Sequence, residues 1–237
     1  MNYNKKIKTV LEYVNKVRTY SFPKTDKHEL IALRALYASI ISMVKVSIES
    51  IQNNEIVTSG IISSSIIEAE IQLLWMCEDI ENRGNDYYDF GWIEQIKSLE
   101  LHPEWKNSVI KKINESNCKR FLKKKHKDTN DILNRDNYVD YWYQIEVNTL
   151  KDLSKETFLD ICKENKFEDD IWYENYQIMC LFKHFNPFII CHSFSGTSSL
   201  EESITEGYIE EILNICEDAI LRCTDRYNIQ ESFLINK

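Results

Sequence analysis

Glycine and proline are both scarce in this chain of 237 residues, which contains only five glycines and three prolines. Sandwiches, barrels and doubly wound sheets need many tight turns, and those turns draw heavily on these two residues. Their scarcity therefore disfavours such folds and favours long helices joined by few turns. The hydrophobic fraction of 43% is large enough to bury a sizeable core.

The sequence also lacks the common catalytic fingerprints. It contains no P-loop, no HExxH or GxSxG motif and no GxGxxG motif, and it has no ExxH pair of the kind that di-iron bundles use. We therefore expect no cofactor. Cys180, His184, Cys191 and His192 could in principle gather a zinc ion, but their spacing matches no familiar zinc module, and we predict no metal site.

Positive charge is in deficit, since the formal net charge is −9. This balance disfavours a general nucleic-acid coat protein, although it leaves room for a local basic patch. The seven cysteines form no CxxC pair, and most lie among apolar residues, as is typical of reduced thiols. The first twenty or so residues lack the apolar core of a signal peptide, and no uncharged window reaches membrane-span length. We expect a cytoplasmic protein without a membrane partner.

Apolar residues recur at helical spacing through most of the chain. The predicted helices cover about residues 4–20, 26–53, 59–80, 82–101 after an initial turn, 103–125, 154–166, 168–185 and 203–227. Residues 126–140 read as a polar loop, and residues 138–150 are ambiguous, because their Tyr, Trp and Val content allows a strand but no partner strand is evident. We find no repeat or linker. The sequence thus predicts one all-α domain over residues 1–237, a bundle of about seven to nine helices, and leaves both a monomer and a homodimer open.

One candidate residue, Glu68, lies in the stretch "SSSIIEAEIQLLWM", which is apolar on nearly every side and is typical of a helix at the centre of a bundle. Trp75 lies further along the same side of that helix. A buried carboxylate must be paired, hydrogen-bonded or protonated. Glu68 could act as a general base or as an anchor for a cation, or it could form a structural hydrogen bond between two helices.

A second candidate lies in the stretch "CLFKHFNPFIICHSFSG", where polar residues interrupt an apolar segment. Histidine moves protons near neutral pH, lysine can hold a phosphate or oxyanion, and asparagine can orient a substrate, so Lys183, His184 and Asn186 could form a site. Tyr176 lies on the same helical stripe as His184. Alternatively, the helix dipole favours cations at a C-terminus and Pro187 ends the helix, which needs no function.

The lysine-rich segment between Lys111 and Lys127 offers a third candidate, which includes Arg120 and His126. One interpretation is a docking patch for a phosphate backbone. The other is a solvated helix end and loop, which the acidity of the whole chain favours.

Residues 65–68, which read Ser-Ile-Ile-Glu, precede an apolar helix and then Glu81, Arg83 and Tyr88. Residues 183–187 read Lys-His-Phe-Asn-Pro. Together these stretches resemble the two halves of an uncharacterised bacterial all-helical family, catalogued as a domain of unknown function. The likeness covers about residues 30–200.

That family is similar to HEPN-type helical bundles, which serve as metal-independent ribonucleases in toxin and phage-defence systems and also as non-catalytic binding modules. The resemblance implies a HEPN-like bacterial effector that acts on RNA or another phosphate-bearing ligand. His184 would then transfer the proton and Lys183 would stabilise phosphate charge. Asn186 would orient the substrate, and Glu68 would hold this constellation from the neighbouring helix.

Four further residues are predicted to contact the ligand. Arg120 and His126 have the Arg-x5-His spacing of the same superfamily, while Tyr176 and Trp75 lie on the two helices that carry the proposed site. The alternative function is a non-catalytic helical module that binds a partner protein or a small ligand at the same helix end.

Overall fold

Helices dominate the architecture. The computed structural model describes residues 3–18, 22, 24–144, 171–184 and 199–236. The α-helices are α1 (Tyr3–Arg18), α2 (His28–Gln52), α3 (Ile56–Glu78), α4 (Ile80–Ser98), α5 (Lys106–Glu115), α6 (Ile171–Lys183) and α7 (Ser199–Asn236). Within these ranges there is no β-strand, only an isolated bridge between Leu122 and Tyr138. The predicted all-α bundle of about seven to nine helices is confirmed.

Two compact units can be distinguished along the chain. The first contains α1, α2 from Leu33 onward, α3 up to Cys77, α6 and α7. The second contains residues 25–32, α4, α5 and the short 3₁₀ turns that follow α5. A single domain over residues 1–237 stays a prediction.

Several predicted helix boundaries are wrong. The α4 helix starts at Ile80 without the predicted turn, and α7 runs from Ser199 to Asn236, well beyond the predicted range of about 203–227. The α5 helix ends at Glu115 rather than near residue 125, because the chain turns inward there and buries Cys118 and Phe121 through a 3₁₀ turn. The predicted helix at about 154–166 lies outside the described residues.

The core of the first unit forms around α3, whose apolar residues are buried on nearly every side, as predicted. Small side chains let α2 and α3 pack closely. The Ser47 and Ser59 hydroxyl oxygens are 2.7 Å apart, and Ser59 Oγ also donates to the Ser47 carbonyl at 2.9 Å. Gly60 on the same helix faces the fully buried ring of Phe182 in α6, so α6 also lies close to α3.

Two helices have the length and apolar character that a membrane span would also show. They are α2 and α3, and 56% and 67% of their most apolar windows are buried inside the protein. This likeness is weak support for a membrane span, because the core helix of a soluble protein has the same properties. The cytoplasmic location stays a prediction.

Candidate functional site

A polar cluster in the first unit joins α3 to α6. The Tyr176 hydroxyl donates to Glu68 Oε1 at 2.7 Å, and Lys183 Nζ lies 3.3 Å from the same oxygen and 3.5 Å from Oε2. Tyr176 and Lys183 stand seven residues apart, so two turns of α6 bring both side chains to one face. We call Glu68, Tyr176, Cys180 and Lys183 the Glu68 cluster.

The cluster lies at the surface of the unit and not in its interior. The Glu68 side chain is 31% exposed and that of Lys183 is 38% exposed. The stretch around Glu68 has almost no other polar residues, so the sequence predicted that Glu68 is buried, and that prediction is wrong. The carboxylate instead reaches the edge of the α3–α6 contact, where water and a ligand both have access to the ion pair.

Two further groups of the cluster stay protonated near neutral pH. Burial raises the pKa of Tyr176 well above its ordinary value, and the hydrogen bonds with Glu68 and Cys180 raise it further. Burial also raises the pKa of the Cys180 thiol, although Tyr176 and Lys183 lower it in part. Neither group can therefore serve as a base or as a thiolate nucleophile under these conditions.

His184 follows Lys183 at the C-terminal end of α6. Its backbone N–H closes the last turn by donating to the Cys180 carbonyl at 2.9 Å, and its side chain is exposed. This position fits both interpretations of residues 183–187. His184 follows Lys183, as the proposed site requires, and cations are favoured at a helix C-terminus without any function. Asn186 and Pro187 lie outside the described residues, so the predicted role of Asn186 stays a prediction.

The remaining predicted ligand contact of the first unit, Trp75, lies in the core with 2% exposure. Trp75 is seven residues beyond Glu68 on α3, but the two side chains differ in surroundings: one is enclosed by the core and the other reaches solvent. A direct contact of Trp75 with a ligand would require its neighbours to move.

The predicted phosphate contacts of the second unit have other partners. Arg120 Nη2 lies 2.6 Å from an Asp86 carboxylate oxygen and 2.9 Å from one of Asp89, so two carboxylates neutralise this guanidinium. His126 is half-buried in a short 3₁₀ turn. The lysines beside it are exposed, as a solvated segment predicts: Lys119, Lys124, Lys125 and Lys127.

Sequence reasoning missed a second carboxylate on α3. Glu70 is only 1% exposed, and neither of its carboxylate oxygens has a hydrogen-bond partner among the described residues. Burial raises the pKa of Glu70 to about 8, an effect that Arg222 opposes and Asp218 reinforces. The sequence did contain a signal for its burial: Glu70 follows Glu68 by two residues, which places the two side chains on opposite sides of the helix.

Metal-binding groupings are not found in the part of the chain that the structure describes, where no three His, Cys, Asp or Glu side chains are arranged so that they could hold a metal ion. Cys191 and His192 lie outside that part. Lys183 carries a positive charge that can bind an anion, and the exposed His184 beyond it carries an imidazole, a group that can exchange protons.

Comparison of the chain with protein-family models, curated proteins and solved structures finds no match.

Proposed function

We propose that the protein is a HEPN-like effector that receives a phosphate group, of RNA or of another phosphate-bearing ligand, at the C-terminal end of α6. The observation that carries this proposal is the meeting of Lys183 with Glu68. These residues lie 115 positions apart in the sequence, yet they form a half-exposed pair next to the exposed His184. Polar residues that are distant in sequence and converge at a half-exposed position are typical of a functional site.

The geometry of the pair suits a positioning role for Glu68. An ammonium group has three N–H donors, so Lys183 can bind Glu68 and still donate to a phosphate oxygen. The Tyr176 hydroxyl, which donates to Glu68 at 2.7 Å, fixes the carboxylate in turn. Glu68 would thus hold Lys183 in place without contacting the substrate.

A metal-independent ribonuclease reaction needs proton transfer at two oxygens. The RNA 2′-hydroxyl loses a proton as it attacks the adjacent phosphorus, and the leaving 5′-oxygen gains one as its bond to phosphorus breaks. His184 is suited to exchange these protons because its side chain is exposed and it follows Lys183 at the end of α6, and Lys183 would stabilise the charge that develops on the phosphate. We place this activity in a phage-defence or toxin–antitoxin setting.

The test uses labelled single-stranded RNA oligonucleotides with a chelator present. We expect the unaltered protein to cleave them to products with cyclic phosphate ends, His184→Ala to lose cleavage, and Lys183→Met to bind RNA more weakly. His102→Ala is the matched control, since His102 is 45% exposed in the second unit, where its ring stacks on Trp105. A protein that neither binds nor cleaves RNA, or a His184→Ala variant with full activity, would overturn the proposal.

A second candidate function is a non-catalytic module that binds a small ligand or a partner protein. The observation that favours it is the charge of Glu68, which compensates Lys183 and opposes an approaching phosphate. Binding of RNA without cleavage would support this candidate. Glu68→Gln separates the two. A phosphate-binding site keeps its affinity, because the amide oxygen of glutamine can still accept from Lys183 and hold it in place, whereas a site that recognises a cationic ligand through the carboxylate loses affinity.

A further inference from the structure

A pocket in the first unit carries an inference beyond the Glu68 cluster. It is formed by α1, α2, α7 and Phe22, and none of its described lining residues belongs to that cluster. Four of its nine described lining residues are aromatic: Tyr13, Phe22, Tyr37 and Tyr227. Lys16, Val17, Thr224, Asn228 and Glu231 complete the lining.

The aromatic walls are arranged as flat surfaces. The rings of Tyr37 and Tyr227 stack with their centroids 4.2 Å apart and their planes 9° from parallel. Phe22 meets Tyr227 edge to face at 6.0 Å. Walls of this kind favour a planar ring, which can stack on one face and present its edge to another.

The size of the pocket limits the ligand. Its volume is about 180 Å³. An engineered protein cavity of about 150 Å³ holds one benzene molecule. The space therefore suits a ligand with one or two small fused rings, far below the size of a nucleotide with its sugar and phosphates.

One buried polar atom in this pocket has no partner. Tyr227 is 5% exposed, and its hydroxyl forms no hydrogen bond with any described residue. Burial raises the pKa of the phenol, Glu231 raises it further and Arg34 lowers it, so both side chains lie near the hydroxyl, although neither meets it at the distance and angle of a hydrogen bond. The Tyr37 hydroxyl, by contrast, bonds to Thr224 at 2.8 Å. A buried hydroxyl without a partner is costly, and a ligand that bonds to it would remove that cost.

Glu231 decides which kind of polar group the ligand should carry. Arg34 donates to its Oε1 atom from Nε at 2.9 Å and from Nη2 at 2.7 Å. Both bonds go to the same oxygen, which leaves Oε2 able to accept from a ligand. A carboxylate only accepts, whereas the Tyr227 hydroxyl takes either role, so the ligand group that faces Glu231 must donate.

We propose that this pocket binds a small planar heteroaromatic molecule of nucleobase size, whose N–H or amino group donates to Glu231 and bonds to the Tyr227 hydroxyl. The rings of Tyr37, Phe22 and Tyr13 enclose its faces and edge. This inference does not rest on the proposed function of the Glu68 cluster.

The test measures binding of free adenine to the full chain by calorimetry and by saturation-transfer NMR. Adenine has N–H donors, and 9-methylpurine has the same ring system without one. We expect adenine to bind and 9-methylpurine to bind at least tenfold more weakly. Tyr227→Phe, which keeps the ring and removes the hydroxyl, should weaken adenine binding about tenfold, as the loss of one buried hydrogen bond predicts.

Two further variants complete the test. Val17→Phe fills the pocket and should abolish adenine binding, while Tyr208→Phe removes a hydroxyl from a residue outside the pocket and should leave it unchanged. The proposal is overturned if adenine does not bind, if 9-methylpurine binds equally well, or if Val17→Phe still binds adenine. It is also overturned if Tyr227→Phe and Tyr208→Phe bind adenine like the unaltered protein, because the hydroxyl then plays no part.

Discussion

Glu68 and Glu70 are the same residue type on one helix, and their surroundings give them different chemistry. Glu68 reaches solvent with 31% exposure, and two groups of α6 donate to it. Glu70 is 1% exposed, and burial raises its pKa to about 8, so it is mostly protonated at neutral pH. The comparison shows that burial on one side of α3 removes a charge, while the half-exposed side keeps an ion pair that a ligand can reach.

The largest expected effect concerns the pH dependence of stability through Glu70. Its pKa is about 8 in the folded state against 4.5 for an unperturbed glutamate side chain, so the folded protein retains a proton that the unfolded chain releases. The free energy of unfolding should therefore fall as the pH rises from about 4.5 to about 8, by roughly 5 kcal/mol in total. Urea unfolding at a series of pH values measures this slope.

The Glu70→Gln variant should lose this pH dependence of the free energy of unfolding, because an amide does not titrate in that range. Asp218 and Arg222 on α7 and Cys77 and Cys223 nearby are retained in the variant, so the difference between the two profiles isolates Glu70. Glu55→Gln, at an exposed position, is the control and should keep the unaltered profile. Parallel profiles for Glu70→Gln and the unaltered protein would contradict the assignment of a protonated Glu70.

The second effect tests the packing that brings α6 to the Glu68 side of α3. A methyl group at Gly60 would lie 2.7 Å from both Cδ atoms of Phe182, whose ring is fully buried. Gly60→Ala should destabilise the protein by about 2–3 kcal/mol, because helix or ring must shift. Thermal unfolding followed by circular dichroism measures it.

Gly207→Ala on α7 provides the matched control, since an added methyl group there meets nothing within 4 Å among the described atoms. We expect that variant to gain up to about 1 kcal/mol from the helix propensity of alanine. If Gly60→Ala were as stable as Gly207→Ala, the close approach of α3 and α6 would not be a constraint on the site.

A smaller effect is expected from Tyr176→Phe. The substitution removes the 2.7 Å hydrogen bond to Glu68 and keeps the ring. Hydrogen bonds to charged groups contribute about 1.5–3 kcal/mol when buried, and partial exposure reduces this one to about 1 kcal/mol. Chemical denaturation measures the loss, with Tyr208→Phe as the comparison. If Tyr176→Phe lowered the free energy of unfolding by more than Glu70→Gln does at low pH, the hydrogen bond to Glu68 would contribute more to stability than the buried Glu70 does.

The smallest effect is the coupling between Glu68 and Lys183. Their side chains are 31% and 38% exposed, and half-exposed ion pairs contribute only about 0.5 kcal/mol. A double-mutant cycle with Glu68→Gln and Lys183→Met, repeated at high salt, should give that coupling energy and show it shrinking with screening. A coupling of several kcal/mol would show that the pair is a structural element of the fold and not an accessible site.

Much of the fold and part of the candidate site followed from residue patterns. The spacing of apolar residues predicted α1, α2 and α3 closely, since each helix buries one or more faces at the helical period. The sequence also singled out Glu68, Tyr176 and Lys183, which the structure brings together. It did not predict the end of α5 at Glu115, because the burial of Cys118 and Phe121 ends that helix through contacts distant in sequence.

Local sequence determined that the chain is helical, that α3 is a central helix and that α6 ends near Lys183, because these properties depend on residues within a few turns of one another. Which of two neighbouring glutamates is buried was decided only by tertiary structure. The rotation of α3 against α6 and α7 places Glu68 beside Lys183 and Glu70 beside Arg222 and Asp218. That rotation is set by packing at contacts such as Gly60 with Phe182, which join residues more than one hundred positions apart.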